Sequence, residues 1–382
     1  NTEARAWVRG GVTRAWLDFR LVLDSQSRRV SRVGLGRGVR PAHRQLRHPR
    51  LPDEELSRHL RDYLRAMAAA DLFSGTVLVA RGDTVIYEGA FGMADRERSV
   101  RNTPDTRFDL ASVGKVFTAV AIAKLAEAGR LSLHDTLARF GLPLPSNIAR
   151  RVTVGQLLNH TSGLGELGAE LDSAMLLASD VPAMVRLLTD SSLSFVPGSS
   201  IQYSNRGYIV LGAVIEAVSG RNYYDFIEET VFAPAGMKSS EFIPDSAPPS
   251  QRAVRYSRYR TLRDAYQPGP RFATAARLDQ RGGPAGGVFS TVRDLHRFIR
   301  GFESNQLVSP AMRQSLITPQ PNIPWGYGFE TTGDGGYGHR GAAPGATAYL
   351  FRFATGHIVA VLSNYDTAAQ IVGEYIRERV GN

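Results

Sequence analysis

A chain of 382 residues is long enough for one large core or two packed units, and 43% hydrophobic with 21% charged residues excludes a disordered or fibrous protein. Its formal charge of +10 comes from 43 arginines set against three lysines, Lys115, Lys124 and Lys238. Cysteine is absent, which excludes disulfides, thiolate catalysis and cysteine metal sites, and no apolar run approaches the roughly 18 residues of a membrane span.

Between Arg28 and Arg50 lie eight arginines and no acidic residue. Clustered arginine suits phosphate, but no zinc-ligand spacing, aromatic-interleaved platform or recognition helix accompanies it, so no nucleic-acid partner is expected. RLVLDSQSRRVSRVGLG reads instead as a two-strand ribbon with polar flanks. Residues 1–50 are expected to be a basic extension or the last hairpin of an upstream domain. With Asn1 as first residue, a natural start and any signal peptide are expected to have been removed.

LPDEELSRHLRDYLRAMAAA has apolar residues at helical spacing, with Asp53 expected to cap its first turn. The period then changes, and GTVLVARGDTVIYEGAFG reads as a hairpin turning at Arg81, Gly82 and Asp83. At the other end GATAYLFRFATGHIVAVLSN is a second strand pair, turning near Thr355 and Gly356, and DTAAQIVGEYIRERV follows as a helix. The similarity of the two hairpins predicts one antiparallel sheet covered by the first and last helices. Between them, TVGQLLNH, VPAMVRLLTD, NRGYIVLGAVIEAVSG and YYDFIEETVFAP are short helical patterns separated by Gly, Pro and Ser. The expected fold class is therefore α+β. A sheet lobe comprises 51–130 and 286–382, and a mostly helical lobe, 131–285, is inserted between its halves. Residues 241–279 read as a long loop lining the substrate mouth.

Three short segments carry chemistry. In FDLASVGKVFTAVAIAKLAEAG, Ser112 begins a helix and Lys115 follows three residues later on the same face, within reach of the hydroxyl. The helix is apolar all round after Lys115, and an amine at a core boundary is costly unless paired or neutral, while a lowered proton affinity is what a base needs. Tyr203 and Asn205 stand in a loop just ahead of a helix: a phenol beside an ammonium is favoured as phenolate, and Asn205 offers both a donor and an acceptor. His339-Arg340-Gly341 enters the first C-terminal strand. Gly341 allows a ligand backbone to approach, the Ala342 N–H supplies a second oxyanion donor beside that of Ser112, and His339 donates to Tyr203 or attracts a substrate carboxylate. Arg340 binds substrate only if strand alternation turns it toward the cleft.

In this order and at these separations, Ser112-x-x-Lys115, Tyr203-x-Asn205 and His339-x-Gly341 resemble the superfamily of class C β-lactamases, serine DD-peptidases and related esterases. LLNHTSGLG and GPAGGVFSTVRDLHRF are similar to that family too, so the likeness runs over about residues 54–380. It implies a β-lactamase/transpeptidase-like fold and an acyl-serine hydrolase without metal or organic cofactor. By resemblance Ser112 is the nucleophile, Lys115 and Tyr203 move protons as a coupled pair, and Asn205 and His339 contact substrate or tune that pair. It also favours a secreted or periplasmic setting. Where class C enzymes carry Lys-Thr-Gly this chain has His339-Arg340-Gly341, which weakens the case for a true β-lactamase. The substrate expected is a small ester or amide, with D-Ala-D-Ala or D-amino-peptide cleavage and weak β-lactam turnover as alternatives, and a non-catalytic penicillin-binding sensor as the non-enzymatic one. The eight histidines form no compact metal-ligand set, and His160 reads as a structural hydrogen-bonder near the cleft.

Overall fold

The computed structural model describes residues 50–165, 178, 180–188, 192–242, 252–258, 270–274, 281–320 and 323–381, together with the backbone of three strands before residue 50. Residues 1–49 and 50–382 form separate compact units. In the first, β1 (Thr2–Arg9), β2 (Trp16–Leu23) and β3 (Val30–Gly38) make an antiparallel sheet in that order. The β2–β3 pair is the ribbon expected from sequence, and β1 adds a strand that reading did not include.

In the second unit, α1 (Asp53–Ala69) buries Leu56, Leu60 and Leu64, one per turn along a single stripe, and carries three acidic residues where its dipole is positive. Its N-cap is Pro52, not Asp53. Asp53 instead accepts from Arg81 at 3.0 Å and lies 3.3 Å from His357 Nε2, so its carboxylate ties the helix to both hairpin turns.

Those hairpins share one six-stranded antiparallel sheet. β4 (Gly75–Arg81) and β5 (Thr84–Phe91) form one edge, and β6 (Glu330–Thr331), β7 (Tyr337–Ala343), β8 (Ala346–Arg352) and β9 (His357–Ser363) complete the order β6-β7-β8-β9-β4-β5. The seam joining the two ends of the chain pairs Val361 with Val77 and Val359 with Val79. Both faces of β4 and β9 are buried, so alternate residues feed two cores. Val77, Val79, Tyr349, Phe351 and Val361 pack beneath α1 and the last helix. Leu78, Ala348, Leu350, Ala360 and Leu362 join the larger core built on α2 (Lys115–Glu127).

The insert is helical as expected. α3 (Val154–Leu158) starts from a capping box between Thr153 and Gln156, α4 (Val181–Arg186) from an Asp180 cap, α5 (Asn205–Ser219) from Ser204, and α6 (Tyr223–Ile227) from Asn222. α7 (Val292–Glu303) and α8 (Ala368–Val380) cover opposite faces of the sheet. Among the described residues no helix is long and apolar enough to cross a membrane.

The described parts of 241–279 differ from the expected loop. Residues 252–258 run through the interior, with Ala253 N bonded to Arg107 O (2.9 Å), Val254 N to Ala94 O (2.7 Å) and Tyr256 N to Asn364 O (2.9 Å). Tyr256–Ser257 also pairs with Phe272–Ala273. Backbone bonding replaces the apolar periodicity that a sequence reader looks for. The rest of that stretch lies outside the described residues.

Candidate active site

Ser112 sits in a 3-10 turn, Ala111–Gly114, and the α-helix proper begins at Lys115. The tighter winding eclipses residues three apart. Lys115 is thereby stacked over Ser112, its Nζ donating to Ser112 Oγ at 3.3 Å. Ser112 is half-buried and faces solvent on one side, whereas Lys115 is completely buried.

Lys115 Nζ meets two further acceptors, Asn205 Oδ1 at 2.7 Å and Ala285 O at 2.5 Å, and lies 4.9 Å from the centre of the Tyr203 ring and 5.3 Å from that of Tyr208. Such acceptors suit the N–H bonds of an ammonium, and two aromatic faces add cation–π attraction. Asn205 is the first residue of α5. Ser204 caps that helix by accepting from Gly207 N at 3.0 Å and donates its own N–H to His160 Nδ1 at 3.2 Å. This short, doubly tied turn brings Tyr203 and Asn205 from the helical lobe to Lys115. Tyr208 is also close, but its hydroxyl donates to Leu158 O at 2.9 Å and complete burial raises its pKa well above the phenol range, so it stays a neutral structural partner.

His160 and His339 are both 1% exposed. Burial first, then the Lys115 charge, pushes the pKa of His339 down to about 3; the same causes, with His339 adding to them, hold His160 well below its ordinary value. Both imidazoles are thereby held neutral at pH 7. Its Nδ1 stands 2.6 Å from Arg340 O, an atom that can only accept, so Nδ1 carries the proton and Nε2 the lone pair. His339 therefore cannot donate to Tyr203 through Nε2. Trp325 stands between the two imidazoles, 4.9 Å from the His160 ring centre and 5.3 Å from that of His339, and 6.0 Å from Tyr203.

Along β7 the alternation is unambiguous. His339 and Gly341 lie opposite Leu350 and Ala348, which belong to the α2 core, while Arg340 lies opposite Tyr349 in the core under α8. The Arg340 side chain bonds Glu330 at 2.8 and 2.9 Å, approaches Glu374 at 3.9 Å and covers Phe351. The expectation of a substrate-binding Arg340 is corrected: its side chain is on the face of the sheet away from Ser112. Gly341 is close to the serine. A Cβ there would fall 2.1 Å from Leu110 O and 3.1 Å from Ser112 N, so only glycine lets β7 approach. Ala342 follows at the solvent-exposed rim.

Sequence reasoning missed the turn that faces the serine, closed by the Gly283–Gly286 bridge. Ala285 supplies the third acceptor for Lys115, and a Cβ on Gly286 would lie 2.3 Å from Ala111 O and 3.2 Å from Ser112 N. The GPAGG run was noticed only as a likeness; its small residues were themselves the signal of backbone passing close to a functional turn. Trp325 had no signal beyond being one of three tryptophans.

A family model described as Beta-lactamase matches residues 60–379. The chain is 31% identical over 310 residues to Esterase EstB of Burkholderia gladioli, covering 73% of this chain and 77% of that protein. It is 29% identical over 349 residues to Penicillin-binding protein 4 of Amycolatopsis lactamdurans, covering 85% and 89%. A penicillin binding protein from Bacillus halodurans superposes with a TM-score of 0.73 at 29% identity, over 82% of this chain and 98% of that one. The chain therefore belongs to the beta-lactamase family of serine hydrolases.

Proposed function

We propose that this enzyme cleaves small, uncharged esters or amides through an acyl intermediate on Ser112. The observation that carries the reading is the Lys115 ammonium, buried and shared between Ser112 Oγ, Asn205 Oδ1 and Ala285 O. Held among these acceptors, Lys115 acts as a fixed positive charge that favours the Tyr203 phenolate, and Tyr203 takes the serine proton as Oγ attacks the carbonyl. The N–H groups of Ser112 and Ala342 receive the oxyanion. Tyr203 returns the proton to the departing alkoxide or amine, and water attacks the acyl-serine with the same group as base, releasing acid and free enzyme. Asn205 holds Lys115 in place by accepting from its Nζ through Oδ1.

A neutral His339 and an Arg340 turned to the other face of the sheet offer a substrate carboxylate no cation at the third motif, which favours the esterase or amidase reading over carboxypeptidase or β-lactamase action. Ser112→Ala tested with nitrophenyl esters, a D-alanyl-D-alanine peptide and a chromogenic cephalosporin examines both parts. Loss of ester turnover is expected. Retained turnover removes Ser112 from its role, and peptide turnover by the wild type exceeding that of esters overturns the substrate assignment. A stable acyl adduct by intact-protein mass, without turnover, identifies a sensor instead.

A further inference from the structure

We infer that the buried ion pair between Asp109 and Arg255 is a positioning device that sets the peptide bearing the Ser112 N–H, and so aims the oxyanion donor without touching substrate. The inference rests on the proposed role of Ser112. It starts from Ala111, whose φ of +43° lies where residues with a side chain are disfavoured. A restraint on each side keeps it there. Asp109 Oδ1 accepts the Ala111 N–H at 2.6 Å, and Gly287 N donates to Ala111 O at 3.2 Å.

In a trans peptide the C=O and the following N–H point in opposite directions. Holding Ala111 O toward Gly287 therefore turns the Ser112 N–H the other way. If Ala111 relaxed to negative φ, that peptide would rotate and the donor would lose its aim.

Asp109 and Arg255 are 4% and 7% exposed, and the carboxylate's second oxygen pairs with Arg255 Nη2. A buried carboxylate needs such a counter-charge. Arg255 is delivered by the interior run 252–258, and its own carbonyl accepts from Thr274 N at 2.9 Å. A segment that read as a loop lining the substrate mouth thus supplies the charge that keeps the nucleophile's turn in register.

Asp109→Asn keeps the shape and an acceptor oxygen but removes the charge pairing. We expect kcat on a nitrophenyl ester to fall by about 10²-fold, as for an ångström-scale misplacement, with KM nearly unchanged. Affinity for an arylboronic acid, which forms a tetrahedral adduct on Ser112, should fall in parallel. Adding Ala111→Gly to Asp109→Asn removes the left-handed penalty and should restore part of kcat; a lost stabilising ion pair alone would not be rescued in this way. Should Asp109→Asn fail to fold, the neutral pair Asp109→Asn/Arg255→Gln is read by the same assays. Wild-type kcat and boronate affinity in either variant, or rescue of Tm without kcat, overturns the inference. If Ser112→Ala is inert while Asp109→Asn is unimpaired, the positioning role alone has failed; an active Ser112→Ala means the role of Ser112 has.

Discussion

Replacing Gly341 by alanine tests the backbone geometry of the site with one methyl group. The new Cβ would lie 2.1 Å from Leu110 O, about 0.9 Å inside the 3.0 Å that Cβ contacts respect, and 3.1 Å from Ser112 N. Neither neighbour is a side chain that can swing aside. Relief requires β7 or the turn 110–112 to move by about that 0.9 Å, and the turn carries Ser112. An ångström of misplacement at a reacting group costs roughly 10²-fold in rate, while overpacking a well-fitted interior costs about 1–3 kcal/mol. Gly341→Ala should therefore lower kcat/KM on a nitrophenyl ester by about two orders of magnitude, with a Tm drop of several degrees, about 2–4 °C per kcal/mol for a large domain. The two readouts separate displacement from unfolding, because a folded fraction above nine tenths at assay temperature cannot account for a hundred-fold loss. Full activity with a normal Tm would refute the close approach of β7 to the serine.

Lys115→Met should lose about 10²–10⁴-fold in turnover, the range for disabling a proton transfer that its charge supports, with circular dichroism unchanged because a neutral side chain of similar length fills the site. Tyr203→Phe should match it within about tenfold if Tyr203 takes the serine proton; activity near wild type would return that role to Lys115. His339 has a folded pKa of about 3 against an ordinary 6.5, so the unfolded chain binds its proton first as pH falls. Its contribution to stability is complete above about pH 6.5 and is lost progressively toward pH 3, and His339→Gln should flatten Tm against pH in that window. Arg340→Met should leave kcat/KM within about twofold of wild type, since its partners lie across the sheet from Ser112; a selective loss on carboxylate-bearing substrates would contradict that placement.

Much of the fold was legible because two hairpins with the strand period stood at opposite ends of the chain, and apolar alternation leaves them few faces to bury except against one another. The first and last helices declared themselves by leucine and valine spacing. Ser112 and Lys115 were legible for a related reason: an all-apolar run after Lys115 leaves its ammonium inside the core, where its charge needs partners. What could not be read was set by backbone. Asp53 resembles a cap, yet Pro52 takes that position and the carboxylate is drawn to Arg81 and His357 from distant hairpins. The charge state of His339 depends on burial and on Lys115, neither of which its own neighbours in sequence encode. Arg340 was ambiguous until the register with Tyr349 fixed its side of the sheet.

The glycines explain why the identity of the third motif's first residue is separable from the formation of the site. Gly114 and Gly286 approach within a virtual Cβ contact of 3.1 Å, and Gly286 and Gly341 each bring backbone to within about the same distance of Ser112 N. Two segments of main chain, around Gly286 and around Gly341, thus converge on the Ser112 amide, and neither approach is made by the side chain at position 339. That position can change between a cation and a neutral imidazole while the serine, its amine and its oxyanion donors stay in place. On the proposed reading, the charge there would act on which substrate ends are admitted, a choice made by electrostatics beside an otherwise fixed reaction centre.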